Sequence, residues 1–574
     1  MNIPKRKVHS SIRTILLLIG ALIIAALFRI IWLDRVPPAI GGDELTYIIT
    51  SKIIALTGSD SSGTWNPWSI FAFRYPTDYP QAEVTYALLT PIATFLPLTL
   101  VNIKLLFSVL SIANVFFVWC IALKLFTPRV AIIAAFVAAL NPWSIFLGRT
   151  AYEMNPEVFF YLLSITVLLF TKGWSILWSI PTFFLAFYSH IASKTIFLPF
   201  IVFSCVLAYF IHNKQFIKQY LIVAFAGVLL MSFFAFTIFG QTSSRLSELI
   251  SPNAPAIATT VDALRKATIQ NPLSSLISNK YTVVAFIVIQ KLFATLSPAY
   301  LFSNGDQFFG LFDHGLFYVV DALFLVVGLF FLFRDRNKIG LFLVIMLLLT
   351  IVPHLLHSIK LDNFTPQISL FFPFAILVIA YGLDWMMFRN RFSSWGLRIG
   401  TIGVYTLFVC MFVNNYFFQF PLRESFDFRM RVLSRYITLS GSDPITIYTT
   451  SPEDIFSKYI FYTDAINKNT VNTIVKAMET KKYSVGNVTF DTCPMEIDPR
   501  SKTVTNVGCT PLGSERPDAV ISRLSDAGAT YKIFNDDVCN DFTLTPYATD
   551  ITLSDFSVEK LTTERFCRQY IHTP

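Results

Sequence analysis

Two adjacent carboxylates, Asp43 and Glu44, are the residues of this sequence best suited to chemistry. They follow Gly41 and Gly42, and glycine lets the backbone turn sharply close to a ligand. Two acids at a membrane surface can act as a base, bind a metal ion or orient an acceptor. The alternative is an ordinary helix start, where acids favour the N-terminal dipole.

Basic residues and a histidine near the ends of apolar runs could bind an anionic group. Arg29 lies inside such a run, where arginines often pair with a carboxylate or a phosphate, and snorkelling to the interface is the alternative. Arg149 and Glu153 are four residues apart, on one face of a helix, and could equally form a plain surface ion pair. His190 and Lys194 flank a short turn and could offer a metal ligand or a phosphate contact, although a lone histidine is more often structural.

The composition indicates a membrane protein. Of 574 residues, 54% are hydrophobic, 16% aromatic and 14% charged, which is more apolar surface than one soluble core can bury. The charge of +9 comes from short basic clusters between apolar runs, which excludes a nucleic-acid-binding surface. No Gly-rich phosphate loop, zinc-type cysteine spacing or Ser-His-Asp signature supports an ATP-driven pump or a soluble-type hydrolase.

Eleven apolar segments are long enough to cross a bilayer. They lie near 12–33, 99–123, 130–147, 156–172, 175–190, 195–212, 220–240, 315–333, 339–357, 366–388 and 397–418. The first follows Lys5-Arg6-Lys7 but is long and lacks a small-residue cleavage pattern, so a retained helix is predicted and not a signal peptide. Basic residues concentrate in alternate loops, which predicts a multi-pass plasma-membrane protein with a cytoplasmic N-terminus and an outer C-terminus.

The segment 281–302 is apolar enough to cross but carries Lys291 and lies between two polar stretches. If it crossed, the basic cluster at Arg334 and everything after it would move to the outside. An interfacial or re-entrant helix is therefore predicted.

The predicted fold class is a mostly α, polytopic membrane protein with a small extracytoplasmic α/β domain. Residues 1–423 form the transmembrane module, whose first outer loop, 34–98, is long enough to be functional and contains a predicted amphipathic helix near 83–94. Residues 424–574 alternate short β-type runs with helical pieces, as a small soluble domain does. Strands are predicted near 444–450 and 518–522, and helices near 452–462 and 471–479.

Four cysteines lie in this C-terminal region, and three others lie in apolar runs. An even number outside the cytoplasm favours disulfides. Of the three possible connectivities, Cys493 to Cys509 with Cys539 to Cys567 is the preferred one.

Several short motifs follow one another along the first 420 or so residues. They are Arg29, Gly41-Gly42-Asp43-Glu44, Thr57-Gly58-Ser59-Asp60, Asn66-Pro67, Asn141-Pro142 with Arg149 and Glu153, Ser297-Pro298-Ala299-Tyr300-Leu301-Phe302, and Gly305-Asp306. In this order they resemble the GT-C glycosyltransferases that use lipid-linked sugars, the group that contains protein O-mannosyltransferases and the lipid A aminoarabinose transferase.

The resemblance implies transfer of a sugar, with inversion, from a polyprenyl-phosphate monosaccharide to a protein, lipid or glycan acceptor at the outer face. A base deprotonates the acceptor while cations stabilise the departing lipid phosphate. The implied catalytic residues are Asp43 as base and Glu44, which orients the acceptor or Asp43. The implied substrate-binding residues are Arg29, Arg149, Glu153, His190 and Lys194, with Glu153 holding Arg149. A divalent metal ion is left open.

The sequence also departs from that group. Thr77-Asp78-Tyr79-Pro80 stands where many bacterial relatives have Lys-Pro-Pro, and Gln367, or a displaced Lys360, stands for an arginine. The absence of a Trp-Trp-Asp motif disfavours an oligosaccharyltransferase.

Two other functions compete. A transporter or flippase of lipid-linked glycans predicts paired repeats and ionisable groups near the bilayer midplane. The sequence has no clear repeat, and its polar candidates cluster at the outer face. A non-catalytic membrane scaffold would leave Asp43 and Glu44 without a purpose.

Overall fold

The computed structural model describes residues 12–72, 82–239, 254–269, 271–306, 314–357, 364–389, 395–423, 426–494, 502–509, 516–525 and 528–574. It is mostly helical with one mixed sheet near the C-terminus, which confirms the predicted fold class. Seven described helices are long and apolar enough to cross a membrane, and three shorter apolar helices accompany them. The chain is a multi-pass membrane protein. Lys5-Arg6-Lys7, Thr77-Asp78-Tyr79-Pro80 and Lys360 lie outside the described residues.

The helices of the first 423 residues are α1 (Ile12–Ile30), α2 (Gly42–Thr57), α3 (Glu83–Phe95), α4 (Leu100–Leu125), α5 (Pro128–Leu140), α6 (Pro142–Leu147), α7 (Met154–Phe170), α8 (Ser179–Phe187), α9 (Phe197–Ile211), α10 (Ile217–Phe239), α11 (Ala254–Lys266), α12 (Ser274–Ile277), α13 (Lys280–Thr295), α14 (Val319–Leu349), α15 (Val352–Leu356), α16 (Phe371–Asp384) and α17 (Trp395–Val413). Each of the eleven predicted spans has a helical counterpart among them.

The predicted span 130–147 is divided into α5 and α6. Pro142 cannot donate a backbone hydrogen bond, so the ladder of α5 stops before it. The Asn141 side chain then accepts from the Ser144 N–H at 2.9 Å and starts α6. The division places Arg149 on the irregular segment that follows α6.

α14 is helical along its length but reverses direction. A Cβ atom on Gly340 would lie 3.1 Å from the carbonyl carbon of Leu332, whereas eight residues of a straight helix rise about 12 Å. The two arms of α14 correspond to the predicted spans 315–333 and 339–357.

The first arm of α14 packs backbone to backbone against α16. A Cβ atom on Gly328 would collide with the carbonyl oxygen of Val378, and one on Gly382 with that of Phe324. Small residues at such crossings let membrane helices approach closely.

Two of the elements outside the set of long apolar helices bear on the predictions from the sequence. α13 carries Lys291 and is 16 residues long, shorter than the helices of crossing length, so its interfacial or re-entrant placement stays a prediction. α3 confirms the amphipathic helix predicted near 83–94.

The C-terminal region, residues 426–574, contains α18 (Phe426–Leu439), α19 (Pro452–Tyr462), α20 (Val471–Thr480) and α21 (Thr563–Tyr570). Its strands are β1 (Ile445–Thr449), β2 (Tyr483–Val485), β3 (Val488–Thr492), β4 (Thr503–Asn506), β5 (Ala519–Ser522), β6 (Ala529–Phe534) and β7 (Ile571–His572). They form one sheet in the order β2-β3-β1-β4-β6-β5-β7, in which β1 runs parallel to β3 and β4. Disulfides join Cys493 to Cys509 and Cys539 to Cys567, the preferred pairing.

Candidate active site

Glu44 fastens the first turn of α2. Its side chain is 2% exposed, and its two carboxylate oxygens accept from the backbone N–H groups of Gly41, at 2.7 Å, and of Ala151. Burial raises the pKa of Glu44, and the nearby ammonium of Lys104 opposes that shift. Because both oxygens are engaged by the protein, Glu44 is placed to hold the start of α2, not to touch an acceptor.

Asp43, in contrast, is exposed. Within the described part of the chain its carboxylate has no hydrogen bond or ion pair. Its charge acts on Tyr47, Tyr152 and Glu153, so these groups surround it on the protein side. Asp43 is therefore a carboxylate held by a rigid helix start and open to a ligand.

A buried network of two acids and one histidine lies beside Asp43. His190 Nδ1 is 3.0 Å from Glu157 Oε2, and His190 Nε2 is 3.7 Å from Glu153 Oε1. Burial favours the neutral imidazole, but the two carboxylates outweigh it and the pKa of His190 is raised. Burial also raises the pKa of Glu153; the charge of Asp43 adds to this shift, while His190 opposes it.

The segment 34–41 leads from α1 into α2, and cations from the membrane module hold its carbonyl groups. Lys104 Nζ donates to the Pro37 carbonyl at 2.8 Å. Arg149 donates to the Val36 carbonyl at 2.7 and 3.0 Å, and also to the carbonyls of Phe28 and Trp32. Pro37 and Pro38 have no N–H groups with which to build a regular backbone ladder, and side-chain donors stabilise the carbonyls of the segment instead.

The C-terminal region holds the same segment from the other side. Arg431 donates to the carbonyls of Asp34, at 3.1 Å, and of Pro38. It also forms a two-point ion pair with Glu559. Lys458 donates to the Ile40 carbonyl. Asp43 is thus positioned by residues from both ends of the sequence.

The other predicted substrate contacts are enclosed by protein groups. Arg29 is fully buried and donates to Ser111 Oγ at 2.7 Å and to three carbonyl groups. Arg149 is also fully buried. The predicted pairing of Arg149 with Glu153 does not occur, because α6 ends at Leu147 and the two residues do not share a helical face. We expect both arginines to stabilise the site without contacting the donor.

Lys194 is buried beside Glu83. Its Nζ lies 3.6 Å from Glu83 Oε1, and the aromatic rings of Phe187, Tyr188 and Phe234 surround it within 5.5 Å. Burial raises the pKa of Glu83, and the Lys194 ammonium opposes that shift. The pair links α3 to the turn between α8 and α9.

A divalent metal ion does not fit the donors found here. Within the described ranges, no group of three or more His, Cys, Asp or Glu side chains could hold one. His190 turns both ring nitrogens towards its own carboxylates, and Glu44 uses its oxygens for backbone N–H groups. The site chemistry is therefore derived without a metal.

Four positions of the candidate site were missed from the sequence: Lys104, Glu157, Arg431 and Lys458. Lys104 and Glu157 carry a usable signal, because an ionisable residue inside an apolar segment is a site candidate by default. Arg431 and Lys458 look like ordinary charges of a soluble region. Only the fold brings them to the segment 34–41.

A cavity of about 400 Å³ opens beside the start of α2. Gly42 and Thr46 form one wall, and α18, α19 and α20 form the other. Asp43 does not line the cavity itself, but Gly42, the residue before it, does.

No protein-family model and no curated protein sequence matches the chain. Among solved structures, the archaeal oligosaccharyltransferase AglB from Archaeoglobus fulgidus, in complex with an inhibitory peptide and a dolichol-phosphate, is 10% identical, with a TM-score of 0.43 over 92% of this chain and 74% of that one. ArnT from Cupriavidus metallidurans, bound to undecaprenyl phosphate, is 14% identical, with a TM-score of 0.46 over 86% and 93%. Both belong to the membrane glycosyltransferases that the motifs resemble. At TM-scores below 0.5, these similarities assign no role to a residue of this chain.

Proposed function

We propose that the protein transfers a sugar from a polyprenyl-phosphate monosaccharide to an acceptor at the outer membrane face. The observation that carries the proposal is the setting of Asp43, an exposed carboxylate on a helix start that Glu44 and four buried cations hold in place. Buried charges fix the position of one exposed carboxylate, and such an arrangement is suited to general-base catalysis.

In the proposed reaction Asp43 takes the proton of the acceptor. The acceptor atom forms a bond to the anomeric carbon, and the bond from that carbon to the lipid phosphate breaks, with its electron pair leaving on the phosphate. Attack opposite to the leaving group inverts the anomeric carbon. Glu44, Glu153 and His190 act as positioning residues.

The cation that stabilises the lipid phosphate is not assigned to Arg29, Arg149 or Lys194. Each of these three side chains is buried and already contacts protein oxygens or rings. Moving any of them to the donor would break those contacts. The donor and acceptor kinds rest on the resemblance and are part of the proposal.

We also propose the orientation in the plasma membrane, with the N-terminus in the cytoplasm and residues 424–574 outside. Basic residues at the turn of α14 and after α16 support it. A reporter fused to the C-terminus that is active only outside the cytoplasm would be active, and an inactive reporter would reverse the orientation.

The test is transfer of radiolabelled sugar from several polyprenyl-phosphate donors to membrane acceptors. Asp43→Asn keeps the shape of the side chain and is expected to lower transfer by about 10²–10⁴-fold. Glu564→Gln, at an exposed acid of α21, is the matched control and should transfer normally. Equal transfer by Asp43→Asn would remove Asp43 from the chemistry. No transfer by the wild type with any donor would favour the transporter or the scaffold.

A further inference from the structure

The cavity beside α2 has an aliphatic interior. Leu45 and Ile49 of α2 face Met430 of α18 and Met478 of α20 across it. Its volume of about 400 Å³ lies within the range of roughly 300–1,000 Å³ that small-ligand pockets occupy. The interior therefore suits the stem of a flexible, unbranched group.

Carboxylates line the cavity at its C-terminal wall. Asp427, Glu453, Asp454 and Glu479 are its acids, and Lys458 is its only cation. Lys458 Nζ is 2.8 Å from Asp427 Oδ1 and also donates to a backbone carbonyl, so that pair is internally neutral. Three carboxylates remain without a compensating cation among the lining residues.

The mutual repulsion of these acids acts on the pKa of Asp454. Burial raises the pKa of Asp454, and the neighbouring charges of Glu453 and Asp427 raise it further, against the effect of Lys458. A cation entering the cavity would relieve this repulsion.

An unpartnered hydroxyl on a largely buried residue of the cavity gives an independent sign of a ligand. Thr50 lines the cavity and is only 5% exposed, yet its hydroxyl has no hydrogen-bond partner within the described part of the chain. The hydroxyl of Thr46, one turn earlier, donates to the carbonyl four residues before it, that of Gly42, at 3.1 Å, as threonines in helices often do. The Thr50 hydroxyl is not among the side-chain oxygens that are shut off from solvent without a partner, so it opens to the cavity, where a hydrogen-bond donor of a ligand can reach it.

We infer that this cavity binds a lysine or arginine side chain of a polypeptide acceptor. That the bound polypeptide is the acceptor rests on the proposed function. That its bound side chain is cationic rests on the cavity alone. An aliphatic stem would pack on the four apolar side chains while its charged head meets the carboxylates and Thr50. An amino sugar would place ring hydroxyls against apolar side chains and lose their hydrogen bonds.

Binding is measured with the full-length protein in nanodiscs and a fluorescent octapeptide of glycine and serine with one central lysine. A peptide with norleucine in place of lysine keeps the stem and removes the charge, and should bind at least about tenfold more weakly. Affinity for the lysine peptide should fall as salt rises. Equal binding of the two peptides, or stronger competition by glucosamine than by a lysine amide, would overturn the inference.

Variants locate the site. Glu453→Gln with Asp454→Asn should weaken the lysine peptide by about tenfold, because each half-exposed ion pair contributes a factor of about three. Thr50→Val keeps the shape and should weaken binding by about threefold. Glu564→Gln is the control. Unchanged affinity in the double variant would exclude the cavity.

Asp43→Asn separates this inference from the proposed function. Because Asp43 does not line the cavity, that variant should still prefer the lysine peptide to the norleucine peptide while its sugar transfer falls by about 10²–10⁴-fold. Normal peptide binding with undiminished transfer would refute the base and leave the cavity intact. Transfer that depends on Asp43, with no preference for lysine peptides, would refute the cavity and leave the base intact.

Discussion

Replacing Glu44 with alanine tests whether this residue stabilises the start of α2. The change leaves two backbone N–H groups, those of Gly41 and Ala151, without their partner. A buried unpaired N–H destabilises a protein by about 1–3 kcal/mol, so the pair amounts to about 2–6 kcal/mol. The Lys104 and Lys458 ammonium groups also lose a neighbouring countercharge. At about 2.1 cal/mol/K of unfolding entropy per residue, a chain of 574 residues converts this loss into a fall of the unfolding midpoint of roughly 2–5 °C.

The assay is thermal unfolding of the purified protein in detergent, followed by sugar transfer below the midpoint. Glu44→Gln retains one acceptor oxygen and should fall between the wild type and Glu44→Ala. Asp43→Asn, one residue away and exposed, should unfold like the wild type. A Glu44→Ala protein with a wild-type midpoint and full transfer would refute the fastening role. A wild-type midpoint with no transfer would make Glu44 a chemical participant.

Two further predictions concern the buried charges around the site. Arg149→Lys should lower the unfolding midpoint, because a compact ammonium does not reproduce the planar fork with which the guanidinium reaches three separate carbonyls. A midpoint equal to that of the wild type would contradict this. His190→Gln should destabilise by about 2 kcal/mol below pH 6.5, the ordinary pKa of histidine, where the imidazolium faces Glu157 and Glu153, with Lys194 opposing. Because the folded pKa is raised, this difference should shrink as pH rises through that pKa, and a difference that grows would show the opposite linkage.

Much of the fold follows from the sequence for a simple reason. Apolar runs of crossing length and alternating β-type runs are local patterns, so the membrane helices and the elements from Ile445 to Thr480 are found where they are predicted. The exposed carboxylate at Asp43 was likewise flagged by its local setting after two glycines.

The remainder depends on contacts between distant residues. Arg29 and Arg149 look like ligand contacts because an isolated arginine in an apolar segment has no visible partner, but folding supplies carbonyls from other segments. The spacing of Arg149 and Glu153 suggested an ion pair only while a helix was assumed. The chain leaves the helix at Gly148, and the rule for residues four apart no longer applies.

The hydrogen bonds from Arg431 and Lys458 to the segment 34–41 affect the order in which the site is completed during synthesis and folding. Asp43 emerges early in synthesis, but two of the cations that fix its approach belong to roughly the last quarter of the chain. In a nascent protein whose helices have inserted, the segment before Asp43 would still lack its contacts with Arg431 and Lys458. The protein would then become active only after translation has ended and the disulfide-bonded region has folded against the membrane module. Chains truncated before that region would lack transfer activity.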